Sequence, residues 1–289
     1  MATESPTCLV TGAGGYLGGR VIAALQQRGW RVVELTRKPA AGSAGISFQL
    51  GEAVAPEVFA GAKALVHCAY DFTQLSWLDI CRVNVVGSEK LLRAARDAKV
   101  SNLIYISSIS AFEWSRSLYG KAKLETEKIA LSLGATVIRP GLIWGDPPGA
   151  MFGSLIRQVD TAQALPLFGG GAQIQYLVHE HDLRDFIVRC ADGTVKPPGK
   201  PVTIANEQPW TFRQILEEIA RARGKKLTFL PFPWRLVWAA IKTAELMSLR
   251  LNFRSDSLVG LMYQNPSPEF GPQLELKIAC RPFQLNHGG

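Results

Sequence analysis

The sequence lacks the cysteine pattern of a disulfide-stabilised or zinc-binding protein. No CxxC pair occurs, and the five cysteines lie far apart: Cys8, Cys68, Cys81, Cys190 and Cys280. This odd, scattered set encodes neither a disulfide framework nor a zinc site. His179, His181 and Asp182 lie close together, but no further ligand is near in sequence, so no metal site is expected.

Long apolar runs are also missing. The most apolar stretch, 229–249, is interrupted by two prolines, an arginine, a lysine and a glutamate, so we expect no integral membrane segment. The first residues carry an acid, Glu4, where a secretory signal carries basic residues, which favours a cytoplasmic protein. A less favoured alternative for the aromatic helix that begins at Trp234 is a position on a membrane surface, with Arg235 and Lys242 reaching the headgroups.

A clustered basic region is absent as well. The net charge is +8, but the lysines and arginines are scattered and match no nucleic-acid-binding module, so no nucleic-acid partner is expected. With 47% hydrophobic and 19% charged residues, the chain has the composition of a folded globular protein. Its 289 residues allow one large domain or two modest ones.

Short runs rich in Val, Ile and Leu alternate with segments of helical periodicity. The predicted strands are Cys8–Thr11, Val32–Thr36, Ala64–His67, Leu103–Ile106 and Thr136–Ile138. Such alternation predicts an α/β fold with a doubly wound parallel sheet, whose ligands bind beyond the carboxyl ends of the strands. After about residue 150 the pattern loosens, and we predict a nucleotide-binding domain over 1–165. A smaller substrate-binding region follows over 166–289, with some elements returning to the first core.

A glycine-rich loop follows the first strand and precedes a helical pattern. Glycine permits a tight turn and lets backbone amides approach a pyrophosphate at a helix N-terminus. A glycine turn without a ligand is the alternative, but the position between strand and helix favours dinucleotide binding in a Rossmann-like domain. The candidate cofactor residues in this loop are Gly12, Gly14, Gly15, Tyr16, Leu17 and Gly18.

The second strand ends without the acid that would hold the ribose hydroxyls of NAD. Thr36, Arg37 and Lys38 stand there instead. Two cations at this corner suit the 2′-phosphate of NADP, so NADP is predicted over NAD. A solvated basic turn is the alternative.

Tyr119 and Lys123 are four residues apart at the start of a helical segment, so they share one helix face. A neighbouring ammonium would lower the pKa of the phenol towards neutrality. Ser107 and Ser108 follow a predicted strand and bring a hydroxyl to the same edge of the sheet. Alone, the pair would be surface decoration; with the glycine loop and a serine it indicates a catalytic site.

These motifs resemble the short-chain dehydrogenase/reductase superfamily, in its extended NAD(P)-dependent epimerase/dehydratase-like branch, from Thr11 to about Gly224. Three further segments are similar to family motifs: Cys68-Ala69-Tyr70 beside the cofactor, Asn84 on an active-site helix, and Arg139-Pro140 after the sixth strand. The resemblance implies that Tyr119 is the general acid/base and that Ser108 polarises the substrate carbonyl. It further implies that Lys123 lowers the pKa of Tyr119 and holds the nicotinamide ribose, while Asn84 supports Lys123 and a proton-relay water. Ser107 would lie beside the cofactor.

Two departures from the branch concern the substrate. Gln175 stands where nucleotide-sugar members carry an arginine that grips the diphosphate. Six apolar residues are expected to form either the wall of an apolar pocket or, equally, helix core: Phe229, Phe232, Trp234, Leu236, Val237 and Trp238. The sequence therefore predicts an oxidoreductase acting on a fairly apolar ketone or secondary alcohol. The alternatives are a nucleotide-sugar epimerase, dehydratase or reductase and a non-catalytic NAD(P)-binding redox sensor.

The resemblance also implies a homodimer, formed through helices near 75–99 and 117–133. Residues 266–289 match no pattern with a functional meaning.

Overall fold

The computed structural model of the chain describes residues 5–39, 45–247, 249 and 253–285. Within these ranges the strands are β1 (Thr7–Thr11), β2 (Arg31–Thr36), β3 (Ile46–Ser47), β4 (Ala62–His67), β5 (Asn102–Ile106), β6 (Thr136–Pro140), β7 (Leu142–Trp144), β8 (Ala164–Phe168), β9 (Ile174–Gln175), β10 (Leu177–His179), β11 (Val202–Ile204), β12 (Trp210–Thr211) and β13 (Thr228–Phe232). The helices are α1 (Tyr16–Gln27), α2 (Trp77–Ile80), α3 (Val86–Asp97), α4 (Leu118–Ser132), α5 (Ala150–Thr161), α6 (Glu180–Asp192), α7 (Phe212–Ala222), α8 (Trp234–Leu246), α9 (Ser255–Met262) and α10 (Gly271–Glu275). A π-helical turn, Cys81–Val85, joins α2 to α3.

The central sheet has seven parallel strands in the order β11-β6-β5-β4-β1-β2-β3. The five strands expected from the sequence are all in it, and the doubly wound α/β prediction is confirmed. Strand order reverses between β1 and β4, so their carboxyl ends open a crevice at which ligands of such sheets bind.

Alternate side chains of each strand enter different apolar layers. Cys8 and Val10 pack with residues of α1 and α6 on one face of the sheet, while Leu9 packs with residues of α3 on the other. Both faces are therefore covered by helices, which explains why the strands read as uninterrupted apolar runs.

A third apolar cluster lies outside the central sheet and joins β7 and α5 to α7. Trp144, Phe152 and Ile219 belong to it, and Phe283 from the end of the chain packs into it. The boundary proposed at residue 165 falls within β8, and β11 and α6 do return to the main sheet and its core.

Two helix boundaries can be compared with the sequence, in which Gly224 is expected to end a helix from about Phe212 and Asp182 to cap a helix that runs through Cys190. α7 is followed by Gly224, which has a φ of +61° as the predicted stop residue requires. The predicted N-cap Asp182 is wrong: His179 caps α6 by accepting the backbone N–H of His181, and Asp182 binds Arg281. In the part of the chain that the structure describes, no helix has both the length and the apolar character needed to cross a bilayer.

Candidate active site

The glycine loop between β1 and α1 is closed tightly enough to exclude side chains. Gly12 has a φ of +69°, and a Cβ there would lie 3.0 Å from the backbone nitrogen of Ala69. A Cβ on Gly18 would overlap the Gly12 carbonyl oxygen, so the loop packs directly on α1. Gly14, in contrast, faces open space. Because α1 has neither a side-chain cap nor an acid in its first turn, its positive end remains available to an anion.

A cavity of about 700 Å³ opens beside this loop, at the crevice between β1 and β4. Eight of the predicted cofactor residues line it: Gly12, Gly14, Gly15, Thr36, Arg37, Cys68, Ala69 and Tyr70. The size, the exposed loop amides and the uncapped helix fit a dinucleotide. The other three predicted loop residues do not line the cavity. Tyr16 contacts the 147–149 segment, Leu17 packs on the core, and Gly18 packs against Gly12.

Arg37 lies at the far corner of this cavity, exposed at the end of β2. Lys38 is also exposed but does not line the cavity. Asp71 shares the corner: burial raises its pKa, but hydrogen bonds from Gln74 and Thr73 and the charge of Arg37 outweigh burial and leave the pKa below its usual value. An ionised Asp71 therefore faces Arg37 across the cavity.

A buried hydrogen-bond chain, which sequence reasoning missed, fixes the segment after β4. The Thr11 hydroxyl accepts the backbone N–H groups of 68 and 69, each at 3.1 Å, and lies 2.7 Å from His67 Nδ1. His67 Nε2 contacts Ser88 Oγ at 2.8 Å, and Ser88 donates to the Asn84 carbonyl. Burial lowers the pKa of His67 to about 3, so the ring is neutral and positions the loop rather than carrying charge. The presence of polar residues, Thr11 and His67, at the ends of apolar strands is the sequence signal from which this hydrogen-bond chain could have been predicted.

Tyr119 and Lys123 lie on α4 beside this cavity, as their spacing predicts. Ser117 caps α4 by accepting the Gly120 N–H at 3.0 Å. Lys123 Nζ donates to the Ile106 carbonyl at 2.7 Å and lies 5.9 Å from the centre of the Tyr119 ring. Burial lowers the pKa of Lys123 to about 8. The ammonium is therefore held one helical turn from the phenol, and it loses its proton near the physiological pH range.

The expectation that Tyr119 has a lowered pKa is wrong. Burial raises the pKa of its phenol to about 12, although a hydrogen bond with Ser108 opposes this shift. Burial disfavours the phenolate more than the neighbouring groups favour it. Tyr119 is accordingly protonated and suited to donate a proton.

Ser107 and Ser108, neighbours in sequence, point to different places. Ser108 and Tyr119 both line a second cavity, described below, whereas Ser107 is buried and donates to Glu127 Oε1 at 2.5 Å. Arg139, which the resemblance assigns to the cofactor, donates to both oxygens of Glu127, at 2.8 and 2.5 Å. Ser107 and Arg139 thus form a buried ion cluster beneath the site, and neither lines the dinucleotide cavity. Sequence reasoning missed Glu127, although it lies four residues after Lys123 on the same helix.

Asn84 is buried in the π-helical turn and binds backbone rather than Lys123. Its Oδ1 accepts the Asp71 N–H at 2.7 Å, and its Nδ2 donates to the Asp71 carbonyl at 3.1 Å. Both amide atoms therefore hold the segment after β4 in place. Its predicted support of Lys123 and a water stays a prediction.

A second cavity, of about 450 Å³, meets the first at Phe72, which lines both. Its apolar wall includes Ile109, Pro140, Leu142, Ile143, Met151, Phe212 and Leu261. Pro140 therefore lines this cavity, not the dinucleotide cavity to which the resemblance assigned it. Ser108 and Tyr119 are at its polar end. Two buried nitrogens of residues on this wall, Gln175 Nε2 and Arg254 Nε, have no hydrogen-bond partner.

The apolar wall is not made of the residues that the sequence suggested. None of Phe229, Phe232, Trp234, Leu236, Val237 and Trp238 lines this cavity, and α8 contains no buried residue. The pocket-wall expectation is wrong, because the C-terminal cavity wall comes from the next helix, α9. The helix-core expectation is wrong for α8, whereas Phe229, on β13, does pack against the third apolar cluster.

Three aromatic rings meet at the junction of the cavities. Phe72 stacks on Tyr119 with ring centres 5.6 Å apart, and Tyr70 packs edge-on against Tyr119 at 4.9 Å. Phe72 is 55% exposed, so only part of its side chain is buried by the contact with the Tyr119 ring. Among the described residues, no group of three or more His, Cys, Asp or Glu side chains forms a metal site.

Comparison with known proteins places these features in context. The sequence model of the NAD dependent epimerase/dehydratase family matches residues 8–205. The chain is 25% identical to the 4-hydroxy-2-methyl-3-oxo-4-farnesyl-3,4-dihydroquinoline-1-oxide ketoreductase of Stigmatella aurantiaca, over 82% of this chain and 79% of that protein. It is 27% identical to the UDP-glucose 4-epimerase of Vibrio cholerae, over 78% of each.

A solved structure described as MoeE5 in complex with UDP-glucuronic acid and NAD has the same fold, with a TM-score of 0.68 and 20% identity. The match covers 94% of this chain and 98% of that one.

Proposed function

The chain belongs to the NAD dependent epimerase/dehydratase family, and on that basis we propose that it transfers hydride between NADP(H) and an apolar ketone or secondary alcohol. The observation that carries this proposal is the position of Tyr119 and Ser108. Both lie at the polar end of an apolar cavity, which meets a dinucleotide-sized cavity at Phe72. One carbonyl group can then contact both side chains and the reactive end of a cofactor, as hydride transfer requires.

Reduction needs a hydride, which NADPH supplies when it is bound, and a proton. Tyr119 donates that proton to the carbonyl oxygen, since its raised pKa keeps it protonated near neutral pH. The Ser108 hydroxyl donates a hydrogen bond to the same oxygen. As Tyr119 loses its proton, the Lys123 ammonium beside it stabilises the developing phenolate. Tyr119 then regains a proton from solvent, and the alcohol leaves.

The preference for NADP rests on the end of β2. Arg37 lines the dinucleotide cavity, and no acid occupies 36–38 to bind the ribose hydroxyls. The Arg37 guanidinium can bind the 2′-phosphate of NADP through charge-assisted hydrogen bonds. NADP would thus gain an interaction that NAD lacks.

The preference for an apolar substrate rests on the second cavity. Its wall is mainly aliphatic and aromatic. It also contains the neutral Gln175, at the position where nucleotide-sugar members of the branch that this chain resembles carry an arginine. The name of the ketoreductase relative includes a compound that bears a farnesyl group, which supports this choice.

One observation favours a nucleotide-sugar substrate as second candidate. Arg254 reaches the same cavity from α9's N-terminal side, and its Nε is buried without a partner. A phosphate or other acceptor group would satisfy it.

A ligand screen separates the two candidates. The thermal stability of the full chain, saturated with NADPH, is measured with apolar ketones and with UDP- and dTDP-sugars. We expect apolar ketones to raise Tm further and to be reduced at the expense of NADPH. Stabilisation by nucleotide sugars at micromolar concentration, exceeding that by the ketones, would reverse the assignment. Wild-type and Arg254→Met proteins then test whether Arg254 carries the binding of the preferred ligand.

A further inference from the structure

The described residues of the segment from β13 to just after α8 line neither of the two cavities, and they expose many large apolar side chains. Strand β13, helix α8 and the residues just after it present large apolar side chains to solvent, defined here as the apolar face: Leu230, Phe232, Leu236, Trp238, Leu246, Met247, Leu249 and Phe253. Leu236 is 66% exposed and Leu246 is 76% exposed. Clustered exposure of this kind marks an interaction surface, whereas single exposed residues need no explanation.

Helix α8 differs from an ordinary surface helix because it carries apolar residues on its solvent-facing side. Most of the outward positions are uncharged: Ala239, Ala240, Thr243 and Met247, at helical spacing from Leu236, are all exposed, and Arg235 is the one charged residue of α8 in the exposed class. A helix that only covers a core places charged residues outward. α8 is instead built to contact something apolar on its outer side.

The charged residues of the segment 225–247 are mostly positive. Lys225, Lys226, Arg235 and Lys242 are its cations, and Glu245 is its sole acid. Two of these cations have partners, because Lys242 Nζ lies 3.6 Å from Glu245 Oε2 and Lys225 donates to the backbone carbonyl of Asp160. The Glu245 carboxylate is turned inward, where it accepts hydrogen bonds from the backbone N–H of Ser255 at 2.8 Å and its hydroxyl at 2.6 Å. Its side chain is 7% exposed. Cations therefore border the face without an exposed carboxylate within this segment.

The apolar face lies one helix away from the substrate cavity. α8 packs on α9 through Trp234 and Tyr263, whose ring centres are 5.8 Å apart, and through the Glu245–Ser255 bonds. On the other side of that contact, Ser257, Gly260 and Leu261 of α9 line the cavity. The layer formed by α8 and α9 thus separates the exposed face from the cavity.

We propose that the apolar face docks on the surface of an anionic lipid bilayer, with α8 lying in the interface. Apolar side chains bordered by cations match acyl chains beneath anionic headgroups, which is how interfacial helices bind. A second copy of the same face is disfavoured, because self-pairing would bring the bordering cations together. This inference does not depend on the proposed function, since docking requires neither cofactor nor turnover.

The test is co-sedimentation of the full chain with vesicles of phosphatidylcholine alone and of phosphatidylcholine with phosphatidylglycerol. We expect binding to the anionic vesicles that weakens with added salt. Leu236→Glu should reduce partitioning by about tenfold or more, since a charge replaces a leucine that docking would bury in the bilayer. Arg235→Gln should reduce binding to anionic vesicles only.

The matched control is Leu274→Glu, which places the same charge at a residue 57% exposed on α10. Both variants change exposed side chains, so Tm should stay near that of the wild type, and Leu274→Glu should bind vesicles normally. No partitioning of the wild type overturns the proposal, as does equal binding by the wild type and Leu236→Glu or equal loss in both glutamate variants. A concentration-dependent dimer that Leu236→Glu abolishes, without vesicle binding, would assign the face to a second copy instead.

Discussion

The carboxylate of Asp256 holds the backbone of Tyr119, although 137 residues separate them. Asp256 accepts the N–H of Leu118 at 2.6 Å with one oxygen and that of Tyr119 at 3.0 Å with the other. These amides lie at the start of α4, where helical N–H groups have no internal partner and the dipole favours an anion. The C-terminal wall of the substrate cavity is thereby fastened to the helix that carries the proton donor.

Replacing this clamp should impair both stability and chemistry. Asp256→Ala removes two acceptors from the start of α4, so we expect a loss of about 1–2 kcal/mol in the free energy of unfolding. Because Tyr119 is then less well oriented, kcat should fall about ten- to a hundredfold. Denaturant unfolding and steady-state kinetics measure the two effects. Ser257→Ala, a neighbour that also lines the cavity, should change KM alone; an equal fall in kcat there would show that Asp256 acts through the cavity wall.

Cofactor choice should depend on Arg37. Arg37→Ala is expected to weaken NADPH binding by about ten- to a hundredfold, the contribution of a charge-assisted hydrogen bond, and to leave NADH binding unchanged. Fluorescence titration of both reduced cofactors measures this. Arg31→Ala, at the opposite end of β2, is the control. Equal losses for NADPH and NADH would contradict the role given to Arg37.

The pH dependence of reduction should reflect Lys123. Its pKa of about 8 means that the ammonium is present below pH 8 and lost as the pH rises through that value, while Tyr119 stays protonated up to about pH 12. We therefore expect kcat/KM, which reports on the free enzyme, to fall above about pH 8. Lys123→Arg should remove this decline whatever its absolute rate, because a guanidinium does not titrate there. A profile that declines identically in both proteins would assign the titration to another group.

The cluster beneath the site should be needed for stability. Glu127→Gln removes the carboxylate partner of Arg139, whose side chain is 17% exposed, at a cost of about 2 kcal/mol. Tm should fall by about 4 °C or more. Glu125→Gln, on the same helix, breaks only an exposed pair with Lys128 and should cost about 0.5 kcal/mol or less. Similar Tm values for the two variants would contradict a buried ion cluster.

Local patterns predicted what depends on local geometry. The glycine loop, the seven-stranded sheet's five longest strands and the Tyr119–Lys123 pair follow from spacing that a strand–turn–helix or one helical turn requires. Their relative positions follow from parallel strands having their carboxyl ends at one edge.

Contacts between distant segments were not accessible in this way. No residue near Tyr119 in the sequence points to Asp256. Arg139 is assigned to the cofactor by the resemblance alone, and its actual partner, Glu127, comes from another element. The pKa of Tyr119 was expected to fall because Lys123 was visible in the sequence, whereas the burial that raises it was not. Apolar composition alone also failed to distinguish pocket, core and surface for α8. The homodimer and the cytoplasmic location stay predictions.

The proton-donor role of Tyr119 is the central claim, and NADPH consumption by wild-type and Tyr119→Phe proteins with a panel of apolar ketones tests it most directly. NADPH affinity is measured in parallel, and Ser107→Ala serves as a variant outside the cavity. We expect Tyr119→Phe to bind NADPH normally and to reduce the ketone about a hundred- to ten-thousandfold more slowly, the contribution of a general acid. Equal rates in the two proteins, or NADPH binding without ketone reduction by the wild type, would contradict the account.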